Sequence, residues 1–257
     1  MIIDIGVNLT HRHFASDREK VIERAIAAGV TVMILTGTSE ANSRESQAIA
    51  AARPGVLFST AGVHPHGASQ CDAGTIARLR TLAALPGVVA IGECGLDFNR
   101  DFSPRPMQEK WFAAQLALAV ELGLPVFLHE RDAHERFIAI LREHRVVDAV
   151  VHCFTGGAKE LDAYLRLGAC IGITGWICDE RRGVELRKLT AKIPLDRLMI
   201  ETDAPFLAPR DVRPKLSRNE PMYLPNVLAA IARERNETIE AVAAATTATA
   251  RRVFRLP

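Results

Sequence analysis

The sequence predicts an α/β protein, a (β/α)8 TIM barrel. Eight strand-like apolar runs alternate with amphipathic helical patterns, and eight such units in about 250 residues are what closure of a parallel barrel requires. The alternative, a doubly wound open sheet, is less favoured because no glycine-rich phosphate loop follows the first strand. The sequence has no short-period repeat and no linker, and we predict a single domain over residues 1–257.

The predicted strands are short apolar runs that end at turn or helix signals. They cover residues 2–8, 30–38, 56–63, 88–96, 125–129, 149–154, 169–175 and 198–203. A capping box of Ser16 and Glu19 is predicted to open the first helix, which ends near Gly29. The other predicted helices cover residues 40–53, 75–85, 106–122, 132–144, 158–167, 180–191, 222–235 and 238–254.

The composition is that of a globular protein with a sizeable core, with 48% hydrophobic and 24% charged residues. The chain start lacks the basic and then apolar pattern of a signal peptide, and no apolar run reaches the length of a membrane span. We therefore expect a cytoplasmic protein without a membrane partner. The five cysteines are odd in number and have no close paired spacing, which argues against a disulfide framework or a structural zinc site. The sequence shows no heptad repeat, and we expect a monomer.

Polar side chains collect where the predicted strands end, which is where barrels of this kind carry their active sites. These residues are Asp4, Asn8, His64, His66, Glu93, His129, His152, Trp176 and Asp203. A single histidine at such a position is more often a hydrogen-bonded core residue. Here imidazoles and carboxylates occur together at the carboxyl ends of several strands, and this mixture suits a divalent ion such as magnesium, manganese or zinc. An ion with an open coordination position supports hydrolysis.

Two carboxylates stand out among these residues. Glu93 ends a buried-type strand, where an unpaired charge is very costly, and we predict it as an anionic metal ligand and catalytic residue. Asp203 is placed to orient the attacking water or to accept its proton. The alternatives are a salt bridge or a helix cap for Glu93 and a loop cap for Asp203. Asp97 is predicted to lie in the following loop with no assigned ligand role.

Basic and aromatic side chains follow several of the same strands. The basic ones are Arg131, Arg181 and Arg182, and in the loop of residues 206–221 also Arg210, Arg213, Lys215 and Arg218. Phe98, Phe102 and Trp176 supply aromatic rings. Such a mixture suits the phosphates and stacked bases of a single nucleic-acid strand. The alternatives are a solvated, structurally braced loop and aromatic packing.

Six segments of the chain resemble the TatD family of metal-dependent deoxyribonucleases. They are residues 4–9, 61–66, 91–97, 151–156, 200–205 and 218–221. The resemblance runs in order through most of the chain. It implies a TIM barrel of the metallo-dependent hydrolase type, dependence on a divalent metal, and 3′-5′ exonuclease action on single-stranded DNA and RNA. Magnesium is the expected ion, with manganese or zinc as alternatives. A role in the repair of damaged DNA would follow from the same resemblance.

The resemblance also implies roles for individual residues. Glu93, His129 and His152 would be metal ligands, and Asp203 would be a ligand or the catalytic acid/base. His64 would lie close to the metal or to the scissile phosphate. We assign His64, His66, Arg131 and Arg218 to substrate binding.

The chain departs from the family pattern on its first strand. Most relatives carry an Asp-x-His-x-His pattern, but this chain has Gly6 and Asn8 at the histidine positions. We therefore hypothesise one tightly held metal. One alternative function is a metal-dependent deacylase or amidohydrolase that cleaves an ester or amide such as aminoacyl-tRNA, although no strand end offers the lysine that amidohydrolases commonly carboxylate. The other is a catalytically degenerate nucleic-acid-binding protein.

Overall fold

The computed structural model describes residues 1–181, 183–213 and 217–257. Its strands are β1 Ile2–Val7, β2 Val30–Leu35, β3 Leu57–Ala61, β4 Val88–Asp97, β5 Val126–Arg131, β6 Ala149–Val151, β7 Cys170–Ile173 and β8 Leu198–Ile200. They form one eight-stranded sheet in the order β1 to β8. The predicted (β/α)8 fold class is confirmed. Arg182 and Lys215, which we assigned to the basic group, lie outside the described residues.

An α-helix follows each strand in turn. The helices are α1 Arg18–Ala27, α2 Glu40–Ala51, α3 Thr75–Ala83, α4 Arg105–Leu122, α5 His134–Glu143, α6 Ala158–Arg166, α7 Val184–Thr190, α8 Leu224–Arg235 and α9 Ile239–Phe254. Among the described helices, none is both long and apolar enough to cross a membrane. Most bounds lie within a few residues of the prediction. The seventh predicted helix begins later, at Val184, because a 3-10 turn at Gly175–Cys178 comes first.

The predicted capping box at the start of α1 is wrong. The N-cap is Asp17 rather than Ser16, and its side chain makes no capping hydrogen bond. The carboxylate of Asp17 instead accepts hydrogen bonds from Arg24 and Arg218. A charged partner makes a stronger hydrogen bond than a backbone N–H group, so the ion pairs take precedence over the cap.

The chain divides into two compact units. The central unit comprises Leu35–His152 and Arg166–Ala169, and the terminal unit comprises Met1–Ile34, Cys153–Leu165 and Cys170–Pro257. A single domain over residues 1–257 therefore stays a prediction.

The central unit contains β3 to β6 and α2 to α5. Neighbouring strands pair in parallel, and β5 aligns with β6 through Val126 and Ala149. The apolar runs of β4 and β5 are buried, as expected for strands covered on both faces. The rings of Phe112 on α4 and Phe137 on α5 stack with centroids 5.1 Å apart.

The terminal unit contains β1, β7, β8 and most of β2, together with α1, α7, α8, α9 and most of α6. β7 and β8 pair in parallel, and Val7 forms a parallel bridge with Ala204 just beyond β8. Thr238 caps α9 by accepting a hydrogen bond from the backbone N–H of Ala241.

Candidate metal centre

Two glycines of β4 allow the close backbone approach that places Glu93. Gly92 and Gly95 have φ values of 137° and 148°, a backbone conformation that residues with a side chain rarely adopt. A Cβ atom at Gly92 would overlap the carbonyl oxygen of Phe127, and one at Gly95 would overlap that of His129. The register with β5 shifts between Gly92 and Cys94, so Glu93 sits at a bulge of the ladder. Such irregularities commonly redirect a side chain next to an active site.

One carboxylate oxygen of Glu93 is the meeting point of three imidazoles in the central unit. Its Oε1 atom lies 2.8 Å from Nε2 of His152, 3.0 Å from Nδ1 of His129 and 3.4 Å from Nε2 of His64. Only 6% of the Glu93 surface is exposed. These four residues were all singled out in the sequence, and the structure brings them together.

The electrostatics of this cluster favour an anionic carboxylate. Burial raises the pKa of Glu93, but the charges of His152 and His64 and the hydrogen bonds from the imidazoles outweigh it and hold that pKa well below its ordinary value. Burial lowers the pKa of His129, but the neighbouring carboxylates of Asp97 and Glu93 reverse this and raise it. Burial lowers the pKa of His64, which reduces the competition of protons with a metal ion for its imidazole.

The donor atoms of this cluster fit a divalent ion. One donor atom from each of His64, Glu93 and His129 lies within 4.8 Å of the others. Nε2 of His129 is buried and makes no hydrogen bond within the described part of the chain; Oδ2 of Asp97 lies 3.4 Å away. A buried orphan nitrogen of this kind calls for an explanation, and a coordinated ion supplies one. His64, which we assigned to substrate binding, thus belongs to the candidate ligand group. His152, which we predicted as a ligand, contacts the same Glu93 oxygen.

Sequence reasoning did not identify Asp97 as a neighbour of the histidine cluster. The prediction that it lies in a loop is wrong, because it is the last residue of β4 and is buried. Its Oδ2 atom lies 2.7 Å from Nε2 of His66 and 3.4 Å from Nε2 of His129. Its spacing of four residues from Glu93 was the available signal, since residues of even spacing share one face of a strand.

The first strand positions the carboxylate of Asp203 within the terminal unit. Nδ2 of Asn8 donates a hydrogen bond of 2.9 Å to Oδ1 of Asp203. The backbone N–H of Asp203 donates to the carbonyl oxygen of Gly6, and that of Asn8 donates to Ala204. The two positions that depart from the family pattern therefore hold Asp203 by an amide side chain and by the backbone. The predicted strand to residue 203 ends at Ile200.

Asp4 is fully buried and bonded within the protein. It accepts hydrogen bonds from the hydroxyl of Thr202 at 2.5 Å and from the N–H groups of Thr202 and Gly6 at 2.9 and 3.3 Å. Burial raises its pKa to about 7. Asp4, although it belongs to the predicted group of strand-end residues, thus ties β1 to the segment after β8.

Arg218, assigned to substrate binding, is held by two acidic side chains of the terminal unit. Its Nη2 atom lies 2.6 Å from Oδ2 of Asp17 and 2.8 Å from Oε1 of Glu220. Glu220 also pairs with Arg24 at 2.8 Å. Arg131, the other basic residue with this assignment, is the last residue of β5. The substrate-binding assignments stay predictions.

A cavity of about 530 Å³ lies in the terminal unit beside Trp176. Its lining includes Arg181, Arg210 and Arg213 as well as Asp179 and Glu180. Arg210 is paired with Asp179 at 2.9 Å. Three of the predicted basic residues thus line the same cavity as Trp176, with acidic side chains among them.

The profile of the family described as TatD related DNase matches residues 3–255. The chain is 55% identical to a protein of Erwinia billingiae named 3′-5′ ssDNA/RNA exonuclease TatD, with 100% of both chains covered. A protein of the same name from Pantoea vagans is 54% identical, with 99% of this chain and 100% of that one covered.

Two solved structures share the fold. A TatD homolog from Escherichia coli K12 has a TM-score of 0.91 at 30% identity, with 100% of this chain and 98% of that chain covered. A TatD family hydrolase from Entamoeba histolytica has a TM-score of 0.88 at 25% identity, with 98% and 97% covered.

Proposed function

The chain belongs to the TatD-related DNase family, and on that premise we propose that it is a metal-dependent nuclease that shortens single-stranded DNA and RNA from the 3′ end. The relatives that are 55% and 54% identical over their full length bear the name of this activity. The observation that carries the proposal is the convergence of three imidazoles on one oxygen of Glu93. We further propose that the protein acts as a cytoplasmic monomer.

The proposed metal ligands are Glu93, His129 and His152, joined by His64 on the geometry of the cluster. When bound, a divalent ion, which we propose to be magnesium, supplies a Lewis acid that activates water and stabilises the charge that develops on the phosphate. Glu93 provides the permanent negative charge of this set. The imidazoles provide neutral nitrogen donors, and their low exposure excludes bulk water from the cluster.

Asp203 is the proposed acid/base or further ligand of the reaction. Its carboxylate is suited to orient the attacking water and to accept the proton that the water loses. Asn8 supports this role by donating to Oδ1, which restricts the rotation of the carboxylate. Arg131 is proposed to bind the substrate phosphates, and His66 and Arg218 are proposed to contact the substrate.

The test is product analysis with a 5′-labelled single-stranded oligonucleotide and magnesium or manganese. A ladder that shortens one nucleotide at a time from the 3′ end is expected, and it should disappear on exhaustive chelation. Undiminished cleavage after chelation, or no cleavage with any divalent ion, would contradict the proposal. An aminoacyl ester offered to the same metal-loaded protein separates the nuclease from the deacylase.

A further inference from the structure

The two phenylalanines of the loop after β4 have different surroundings. The ring of Phe98 is half-buried, and the guanidinium of Arg105 lies 4.4 Å from its centroid. Phe102 is 66% exposed. Its ring meets that of His66 with centroids 4.7 Å apart and an interplanar angle of 62°. Phe98 thus serves packing, while Phe102 presents aromatic surface to solvent.

The loop that carries Phe102 is firmly anchored at both ends. Oδ1 of Asp97 accepts hydrogen bonds from the N–H groups of Asn99 and Arg100 at 3.1 and 2.8 Å. At the other end, the hydroxyl of Ser103 donates to the carbonyl oxygen of His66 at 2.8 Å. Gln108 donates to the carbonyl oxygens of both Asp97 and Ser103. The exposed ring therefore stands on a segment with fixed geometry, which lowers the entropic cost of binding a ligand there.

Phe102 also lies close to the candidate metal centre within the central unit. The His66 ring that it touches lies 4.2 Å, centroid to centroid, from the ring of His64. Nε2 of His64 is 3.4 Å from the Glu93 oxygen. The exposed ring is thus two ring contacts away from a proposed metal ligand. Arg100, on the same loop, is exposed and adds positive charge there.

We propose that Phe102, with His66 beside it, is the platform on which the nucleobase next to the scissile phosphate stacks. The inference rests on the proposed nuclease function and names a subsite for it. Every nucleobase has a π face, so an aromatic platform accepts all bases and suits an enzyme without sequence preference. A lone exposed ring is too small for a protein-binding surface, which usually presents a contiguous apolar patch of several hundred Å².

The experiment compares Phe102→Ala, Phe102→Trp and Val147→Ala with the wild type on single-stranded oligonucleotides. Val147 is a matched exposed apolar residue of the central unit, 59% exposed and outside the proposed site. Each protein is assayed on an intact strand and on strands with one abasic residue at the 3′-terminal or the penultimate position.

Phe102→Ala should raise KM for the intact strand about 5- to 30-fold, as expected for the loss of one base–aromatic stack, and leave kcat within about twofold. This defect should vanish on one of the two abasic strands, because the base that would stack is missing. Phe102→Trp and Val147→Ala should behave like the wild type.

An unchanged KM for Phe102→Ala on the intact strand would overturn the inference, and so would a defect of equal size on all three strands. A wild-type protein that cleaves none of these strands under any divalent ion would instead overturn the proposed function. Activity of the wild type therefore separates failure of the subsite from failure of the function.

Discussion

Two buried carboxylates, Glu93 of the central unit and Asp4 of the terminal unit, show how hydrogen-bond and charge partners set the pKa of a buried carboxyl group. Both are at least nine-tenths buried. Glu93 meets three imidazoles, and its pKa is held well below the ordinary value. Asp4 meets a hydroxyl and two backbone N–H groups, and its burial raises the pKa to about 7. Burial alone therefore does not make a carboxylate a metal ligand. Glu93 is an anion surrounded by imidazole nitrogens and is suited to bind a metal, whereas Asp4 is suited to stabilise the fold.

The sharpest way to break this comparison is to make the same change in both regions. Glu93→Gln keeps the shape of the side chain but removes the anion, so metal binding should be lost and turnover should fall by roughly 10³-fold or more. Asp4→Asn, the matched control, should keep both. Manganese titration and the oligonucleotide assay measure these effects, and circular dichroism checks the fold. Equal activity of the two variants would remove the distinction.

A second prediction concerns the pH dependence of metal binding. The neighbouring carboxylates of Asp97 and Glu93 raise the pKa of His129, so protons begin to compete with the ion at a pH above the ordinary pKa of histidine. Apparent affinity should fall by about tenfold per pH unit once the pH drops through that raised pKa. Calorimetric titration with manganese at several pH values measures this. In Asp97→Asn the fall should begin at a lower pH; affinity independent of pH would contradict the account.

A third prediction addresses the link between Asn8 and Asp203. Asn8→Ala removes the amide that donates to Oδ1 of Asp203, so kcat should fall about tenfold, in the range seen for residues that orient a functional group. The free energy of unfolding should fall by about 1 kcal/mol, as expected for one lost hydrogen bond. Asp203→Asn should reduce kcat further. A loss of stability with unchanged kcat would make Asn8 purely structural.

The smallest effect on activity is expected from a substitution of Asp4, which should instead change how the free energy of unfolding depends on pH. Its folded pKa of about 7 lies above its ordinary value of 3.8, so the folded state binds more protons between these two values. This contribution to stability is complete below about pH 4 and is lost as the pH rises through 7. Relative to the wild type, Asp4→Asn should therefore gain stability from pH 4.5 to pH 8, as urea unfolding would measure. A difference in unfolding free energy between the two proteins that does not change with pH would show that the pKa of Asp4 is not raised.

The alternation of apolar runs and helical patterns was sufficient to predict the fold. Every predicted strand and helix has a counterpart in the structure, with bounds that mostly differ by a few residues. The ends were less predictable because local hydrogen bonds decide them. Strand β8 stops at Ile200. Beyond it, the backbone N–H of Thr202 donates to the side chain of Asp4, and that of Asp203 donates to the carbonyl oxygen of Gly6 in β1.

The histidine cluster was predictable because its members share one position, the end of a parallel strand. Glu93, His64, His129 and His152 were identified on this basis. The partners of Arg218 were not predictable, since Asp17 lies 201 residues away in sequence and no pattern connects them. Asp97 was missed because β4 extends one residue beyond its apolar run, held by pairing with Arg131 at the end of β5.

The central claim is that the cluster around Glu93 holds the catalytic metal, and a manganese-loaded crystal tests it most directly. Anomalous scattering at a wavelength where manganese absorbs locates the ion independently of any assumption about its ligands. We expect one strong peak within bonding distance of the Glu93 carboxylate and the His129 imidazole. A manganese peak elsewhere, with none at Glu93, would contradict the account.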